Sequence, residues 1–204
     1  MRYTKKIVSM VMVVILCLCF CVSASAASQY TVVKGDSMWK IAVRYEIGLS
    51  EIISANPQVK NPNLIYPGDV LNIPSINSGV LDYENEVIRQ VNEIRRNYGL
   101  SELSANWQLS RVARYKSQDM HDKHYFSHTS PTYGSPFDMM KAFNISYRYA
   151  GENIAMGYTS PTAVVNGWMK STGHRENILN KNFTEIGVGY VADGNYWTQM
   201  FISH

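Results

Sequence analysis

Tyr30-Thr31-Val32-Val33-Lys34-Gly35-Asp36-Ser37-Met38-Trp39-Lys40-Ile41-Ala42 changes its apolar period partway along. Tyr30 to Val33 is short and β-branched, so it reads as a strand. Lys34-Gly35-Asp36 breaks it, and Asp36 or Ser37 can cap the next helix by accepting free backbone N–H groups. Trp39, Ala42 and Val43 then recur at helical spacing, with Ile41 beside them. Gly48 ends this helix. Ser50 opens a second one carrying Ile52, Ile53 and Ala55, and Asn56-Pro57 stops it. Asn61-Pro62-Asn63-Leu64-Ile65-Tyr66-Pro67-Gly68 is too rich in proline and asparagine for regular structure, and Val70-Leu71-Asn72-Ile73 closes as a strand. The expectation is a small strand-helix-helix-strand unit. A unit this small needs its large apolar groups inside, so Trp39 and Ile41 are expected in a mini-core.

The opening segment, the Asn56-Pro57 pair, the loop through Tyr66-Pro67-Gly68-Asp69 and the closing Leu71-Asn72-Ile73-Pro74 together resemble a LysM module, without gaps. The resemblance implies a βααβ fold that binds N-acetylglucosamine-containing chains, peptidoglycan or chitin. It places the glycan groove on two loops, Gly35, Asp36, Ser37 and Met38 on one side and Asn63, Leu64, Ile65, Tyr66 and Pro67 on the other. A neutral acetamido sugar needs backbone donors and acceptors plus an apolar wall, and these loops can supply both.

Upstream, Arg2, Lys5 and Lys6 precede an apolar run from Ile7 to Val22 and then Ala24-Ser25-Ala26. This is the order of a secretory signal, with cleavage near Ala26 or Ala27. The alternatives are a retained anchor, for which the run is short against the ~20 residues a bilayer needs, and a lipoprotein cysteine. Against the latter, the small residues follow the cysteines. The chain has 19 basic and 16 acidic residues, and loss of Arg2, Lys5 and Lys6 leaves 16 of each. No basic surface for nucleic acid is expected. Cys17, Cys19 and Cys21 also lie in the leader, so the secreted form would have no disulfide or thiol chemistry, and no membrane segment. The 46% apolar, 17% charged composition is that of a globular protein. The organisation expected is a signal at 1–27, the small module at 29–74, a linker at 75–82 and a second domain at 83–204.

In that second domain, Val87, Val91, Ile94 and Tyr98 form a helical stripe from Glu86 that ends at Gly99. Asn106 can cap a helix carrying Leu109, Val112, Ala113, Lys116 and Met120. Ser135-Pro136 and Ser160-Pro161 read as caps followed by proline at the first helical position. Ile186 to Val191 and Tyr196 to Phe201 flank Ala192-Asp193-Gly194-Asn195, a hairpin signal. Helices followed by antiparallel strands indicate an α+β domain.

Tyr125-Phe126-Ser127-His128, Gly151-Glu152-Asn153-Ile154-Ala155, Trp168, Gly173-His174-Arg175-Glu176-Asn177-Ile178-Leu179, and Gly187-Val188-Gly189-Tyr190 with Tyr196-Trp197-Thr198-Gln199 together resemble the CAP superfamily in its bacterial form. The resemblance implies an α-β-α sandwich with a cleft holding His128, Glu152 and His174, and a divalent metal such as zinc in some members. Three such ligands leave a position open for water. Ser171 stands where animal and plant members carry a second cleft glutamate, which weakens a four-ligand site. Read alone, His128 could brace a turn, Glu152 could accept backbone N–H groups and His174 could hold a loop; His121, His124 and His204 receive no role. There is no Gly-x-Ser-x-Gly and no His-Glu-x-x-His, and the Ser127-His128 adjacency is not a hydrogen-bonded pair by itself. The expected function is a secreted wall-associated protein, anchored by its first module, whose second domain binds a partner or small ligand. The alternatives are a metal-dependent hydrolase of wall material and a lipid-binding protein.

Overall fold

The computed structural model describes residues 28–204, and the leader read from residues 1–27 lies outside them. The first module is β1 (Ser28–Thr31), α1 (Met38–Arg44), α2 (Leu49–Ser54) and β2 (Val70–Ile73). The strands pair antiparallel, Ser28 opposite Ile73 and Thr31 opposite Val70. Ser37 caps α1 by accepting the Lys40 N–H. Asp36 instead accepts from the Tyr30 hydroxyl, the Val33 N–H and Arg44. Asn56 ties the end of α2 to β2. Its Nδ2 donates to the Ile52 and Asn72 carbonyls, and its Oδ1 accepts the Asn72 N–H. Val32, Met38, Ile41, Ala42, Ile47, Ile52, Leu71 and Ile73 fill the core.

Ile41 lies in that core as expected, but Trp39 does not: it is 58% exposed. Successive helical positions turn by about 100°. Met38, Ile41 and Ala42 already occupy the inward stripe of the seven-residue α1, so position 39 points out.

The second domain has α3 (Ser78–Asn97), β3 (Ser104–Ala105), α4 (Trp107–Asp122), α5 (Pro136–Ala142), β4 (Tyr149–Met156), α6 (Pro161–Lys170), α7 (Thr172–Ile178), β5 (Glu185–Val191) and β6 (Tyr196–Ser203). Asn106, Ser135 and Ser160 cap α4, α5 and α6. Helix α3 starts at Ser78, inside the stretch read as linker and earlier than the stripe from Glu86 indicated; Asn77 caps it. The sheet order is β3-β5-β6-β4, with β3 parallel to β5 and the other pairs antiparallel. One face packs on α4 and α5 through Leu109, Val112, Met139, Met140, Met200 and Ile202. The other packs on α3 and α6 through Val87, Val91, Val164, Trp168, Val188 and Phe201. The result is an α-β-α sandwich, and β6 is buried on both faces because both are covered, Thr198 and Gln199 included. No helix among the described residues is long and apolar enough to cross a membrane.

Two details of this packing place the site. Helix α4 lies directly on β5, where a Cβ at Gly187 would sit 2.3 Å from the Ser110 nitrogen and one at Gly189 would sit 2.1 Å from the Arg114 nitrogen. Only glycine permits that approach. Strand β4 is the sheet edge, and its outward carbonyls are taken by side chains: Trp168 Nε1 donates to Ile154 O at 3.3 Å and Asn177 Nδ2 to Glu152 O at 3.1 Å. An edge so covered cannot pair with another chain along those groups.

Gly189→Ala is therefore expected to lower the thermal midpoint by roughly 5–10 °C, because backbone rather than a flexible side chain must yield. Gly173→Ala, inside α7 with nothing within 4 Å of the added methyl, is expected to hold or slightly raise it. Circular dichroism melts of the two variants check this.

Candidate functional site

The three cleft residues come from three elements around β4. His128 is on the loop between α4 and α5, Glu152 on β4 and His174 on α7. His128 Nδ1 and Glu152 Oε1 are 2.7 Å apart, with side-chain exposures of 52% and 2%. The imidazole thus reaches from the surface to a buried carboxylate. Burial pushes the Glu152 carboxyl above its ordinary range, against the opposing pull of His128 and the Lys116 charge. Burial also pushes His174 below the ordinary histidine range, and the nearby charge of His128 acts in the same direction.

The loop bearing His128 is held from beneath by Lys116, which is fully buried. Its ammonium donates to Ser127 O at 2.8 Å, His128 O at 2.9 Å and the Tyr125 hydroxyl at 3.1 Å. Asp119 adds a second tie, accepting from Tyr125, Ser130 and Thr132 hydroxyls. In sequence Lys116 looks like one member of an apolar stripe. Its signal is a charged residue inside a buried face, which is rare unless paired. On the opposite side, Asn153 Nδ2 donates to the His174 carbonyl at 3.1 Å and to Gln199 Oε1 at 3.0 Å. Arg95 anchors the end of α7 through the Ile178 and Asn180 carbonyls.

Between these supports is a cleft of about 520 Å³. Phe126, Ile154, Met156, Tyr158 and Trp168 give it apolar walls, and Ser127, His128, Ser171 and His174 are its polar groups. Ser171, at the position of the missing glutamate, does face the cleft, and its side chain makes no capping bond. Glu176 is exposed on α7. Among the described residues no hydrogen bond joins Ser127 to His128; the Ser127 hydroxyl accepts the Thr129 N–H instead. The zinc expectation also meets a geometric obstacle. Glu152 spends Oε1 on His128 while Oε2 is buried without a partner, and among the described residues no three His, Cys, Asp or Glu side chains converge as metal ligands. His128, Glu152 and His174 as arranged do not fit a three-ligand metal centre.

The nine residues read as a glycan groove divide. Asp36, Ser37, Met38, Asn63 and Ile65 line one groove of about 180 Å³, together with Trp39, Leu49, Ile53 and Pro62. Leu64 and Tyr66 are exposed on the other side of the loop, beside Asn61, Asp69 and Val70. Gly35 and Pro67 line neither depression. Trp39 is the groove residue that sequence reasoning puts in the core.

Fold and cleft define a two-module chain, one module shaped as a small βααβ unit and the other as a sandwich with an edge-strand cleft. Residues 88–202 match the cysteine-rich secretory protein family, CAP, and residues 30–74 match the LysM domain. The chain belongs to the CAP family and carries a LysM domain ahead of its CAP domain. It is 60% identical over 125 residues to YkwD of Bacillus subtilis, covering 61% of this chain and 49% of that protein. An extracellular SCP-domain protein from Bacillus anthracis superposes with a TM-score of 0.57 at 36% identity, over 68% of this chain and 47% of that one. The LysM segment is 46% identical over 46 residues to SpoIVD-associated factor A of Bacillus subtilis, covering 22% of this chain and 12% of that protein. The chain thus spans half or less of the length of each of these relatives.

Two outcomes are expected of the cleft. Lys116→Met removes the donor from two carbonyls and a hydroxyl at a buried site, so urea unfolding should show a loss of about 2–4 kcal/mol. The His174 effect depends on pH. Its folded-state value is depressed, so the stability of its neutral form is present above the ordinary histidine range and is lost as pH falls through the folded value. Calorimetry from about pH 7 to pH 5 should therefore show His174→Asn gaining on the wild type.

Proposed function

We propose that this is a secreted binding protein of the bacterial wall or spore envelope. The LysM module holds it on an N-acetylglucosamine-containing glycan, peptidoglycan or a chitin-type chain, and the CAP cleft receives a partner or small ligand. The observation that carries the first part is Trp39. A large aromatic stands in solvent beside a groove built from Asp36, Ser37, Asn63 and Ile65. An indole face covers the apolar face of a sugar ring, and the loop groups around it can serve an acetamide. A 46-residue likeness, 41% identical, to the spore coat assembly protein ExsA of Bacillus cereus supports an envelope location.

The cleft supports a binding role by its construction. Its walls are apolar, and its two imidazoles differ in environment: one is paired to a carboxylate, the other is biased to the neutral form by burial. A ligand with an apolar body and one polar end suits this arrangement. The Ser127 hydroxyl accepts the Thr129 N–H and has no base hydrogen-bonded to it among the described residues, which favours the binding reading over a nucleophilic role for this serine.

Retention on insoluble peptidoglycan tests the anchor. Trp39→Ala is expected to weaken binding about tenfold, the worth of one aromatic contact. Salt should matter little, because the sugar is neutral. Equal retention of wild type and variant would overturn the groove assignment.

A further inference from the structure

The two modules are joined by more than the chain between them. Glu51 on α2 faces Arg111 on α4. Arg111 Nη2 donates to Glu51 Oε2 at 2.8 Å, and its Nε donates to Oε1. The same Nη2 reaches the Ser50 hydroxyl at 3.0 Å, and the Tyr115 hydroxyl donates to Glu51 Oε1 at 2.9 Å. The guanidinium lies over the Tyr115 and Phe143 rings, 5.4 and 5.1 Å from their centroids. Both partners are largely withdrawn from water, with side-chain exposures of 27% for Glu51 and 19% for Arg111. Gly48 is built into the contact: a Cβ there would sit 2.0 Å from Glu51 Oε2 and 2.2 Å from Arg111 Cζ.

We infer that the LysM module is docked on the CAP domain in one fixed orientation, with α4 as the docking surface and the Glu51–Arg111 clasp as its key. A bidentate pair whose Nη2 also reaches the Ser50 hydroxyl fixes direction as well as proximity, which a single point charge does not. Apolar packing does not supply the lock. Beside the clasp lies an open cavity of about 380 Å³ lined by Ile47, Ile76, Val80 and Tyr190, and no buried apolar cluster among the described residues contains residues of both modules. The clasp is therefore the feature whose loss frees the module.

Helix α2 gives the docking a consequence. Leu49 and Ile53 line the LysM groove, while Ser50 and Glu51 of the same six-residue helix hold α4. One helix thus reads the groove on one side and the CAP domain on the other. If the groove holds a glycan, as proposed, a bound strand lies in a set orientation to the CAP cleft, and the cleft is presented to the wall at a defined angle.

The docking is tested with spin labels on the secreted form, whose sequence from Ser28 contains no cysteine. Labels at Lys60→Cys and Lys181→Cys, both exposed, report the inter-module distance by double electron–electron resonance. The wild type should give one narrow distribution. Arg111→Glu and, from the other module, Glu51→Ala should each broaden it at least twofold. The charge swap Glu51→Arg with Arg111→Glu should narrow it again, a recovery that a merely misfolded variant would not show. A broad distribution in the wild type, or a narrow one in both single variants, would overturn the docking. Peptidoglycan retention of the same samples reports on the groove. A wild-type chain that fails to bind while keeping its narrow distribution would contradict the glycan reading and leave the docking in place.

Discussion

Helix α4 touches β5 backbone to backbone because positions 187 and 189 have no side chains. Most of what matters in this molecule radiates from that contact. Ser110 Oγ accepts the Val188 N–H, and the Ser117 hydroxyl meets Gly189 O and Thr198 Oγ1, which pins the helix axially. From a helix so fixed, Lys116 rises beneath the His128 loop, Arg114 closes on buried Glu84, and Arg111 reaches out to Glu51. A helix held one side-chain layer higher would miss all three. The glycines cost conformational freedom in a strand, and the structure recovers it as placement of these three cations.

The cleft is the product of a sheet edge. Strand β4 has no neighbour beyond it, so its outward groups must be met by side chains, and Trp168 and Asn177 meet them. Those same residues bring α6 and α7 to the edge, and with them Ser171 and His174. On the other face the buried Glu152 carboxylate is compensated by His128 and Lys116. Edge protection and site construction are one arrangement. That accounts for the hydrogen-bonded cluster of Asn153, Gln199 and Asn177 beside the edge strand.

Local chemistry is legible in the sequence and long-range pairing is not. Asn106, Ser135 and Ser160 cap as their spacing indicates, and α1 is capped by Ser37, one of its two candidates, since a cap is decided within four residues. The β5–β6 hairpin is legible for the same reason. Trp39 departs from expectation because hydrophobicity alone does not say which face of a seven-residue helix is already full. Lys116 is concealed by its apolar neighbours, and the clasp joins residues 60 positions apart with no local signal at either end. The cleft residues can be named from motifs, but their division into a bonded pair, His128 with Glu152, and a separate His174 is a matter of geometry.

The central claim is that α4 makes one body of two modules. Backbone ¹⁵N relaxation of residues 28–204 measures this without any variant. Amides of residues 30–74 and of residues 78–204 should report a single rotational correlation time and one diffusion tensor. A shorter correlation time for residues 30–74, of the size expected for a small module on a free tether, would contradict the claim.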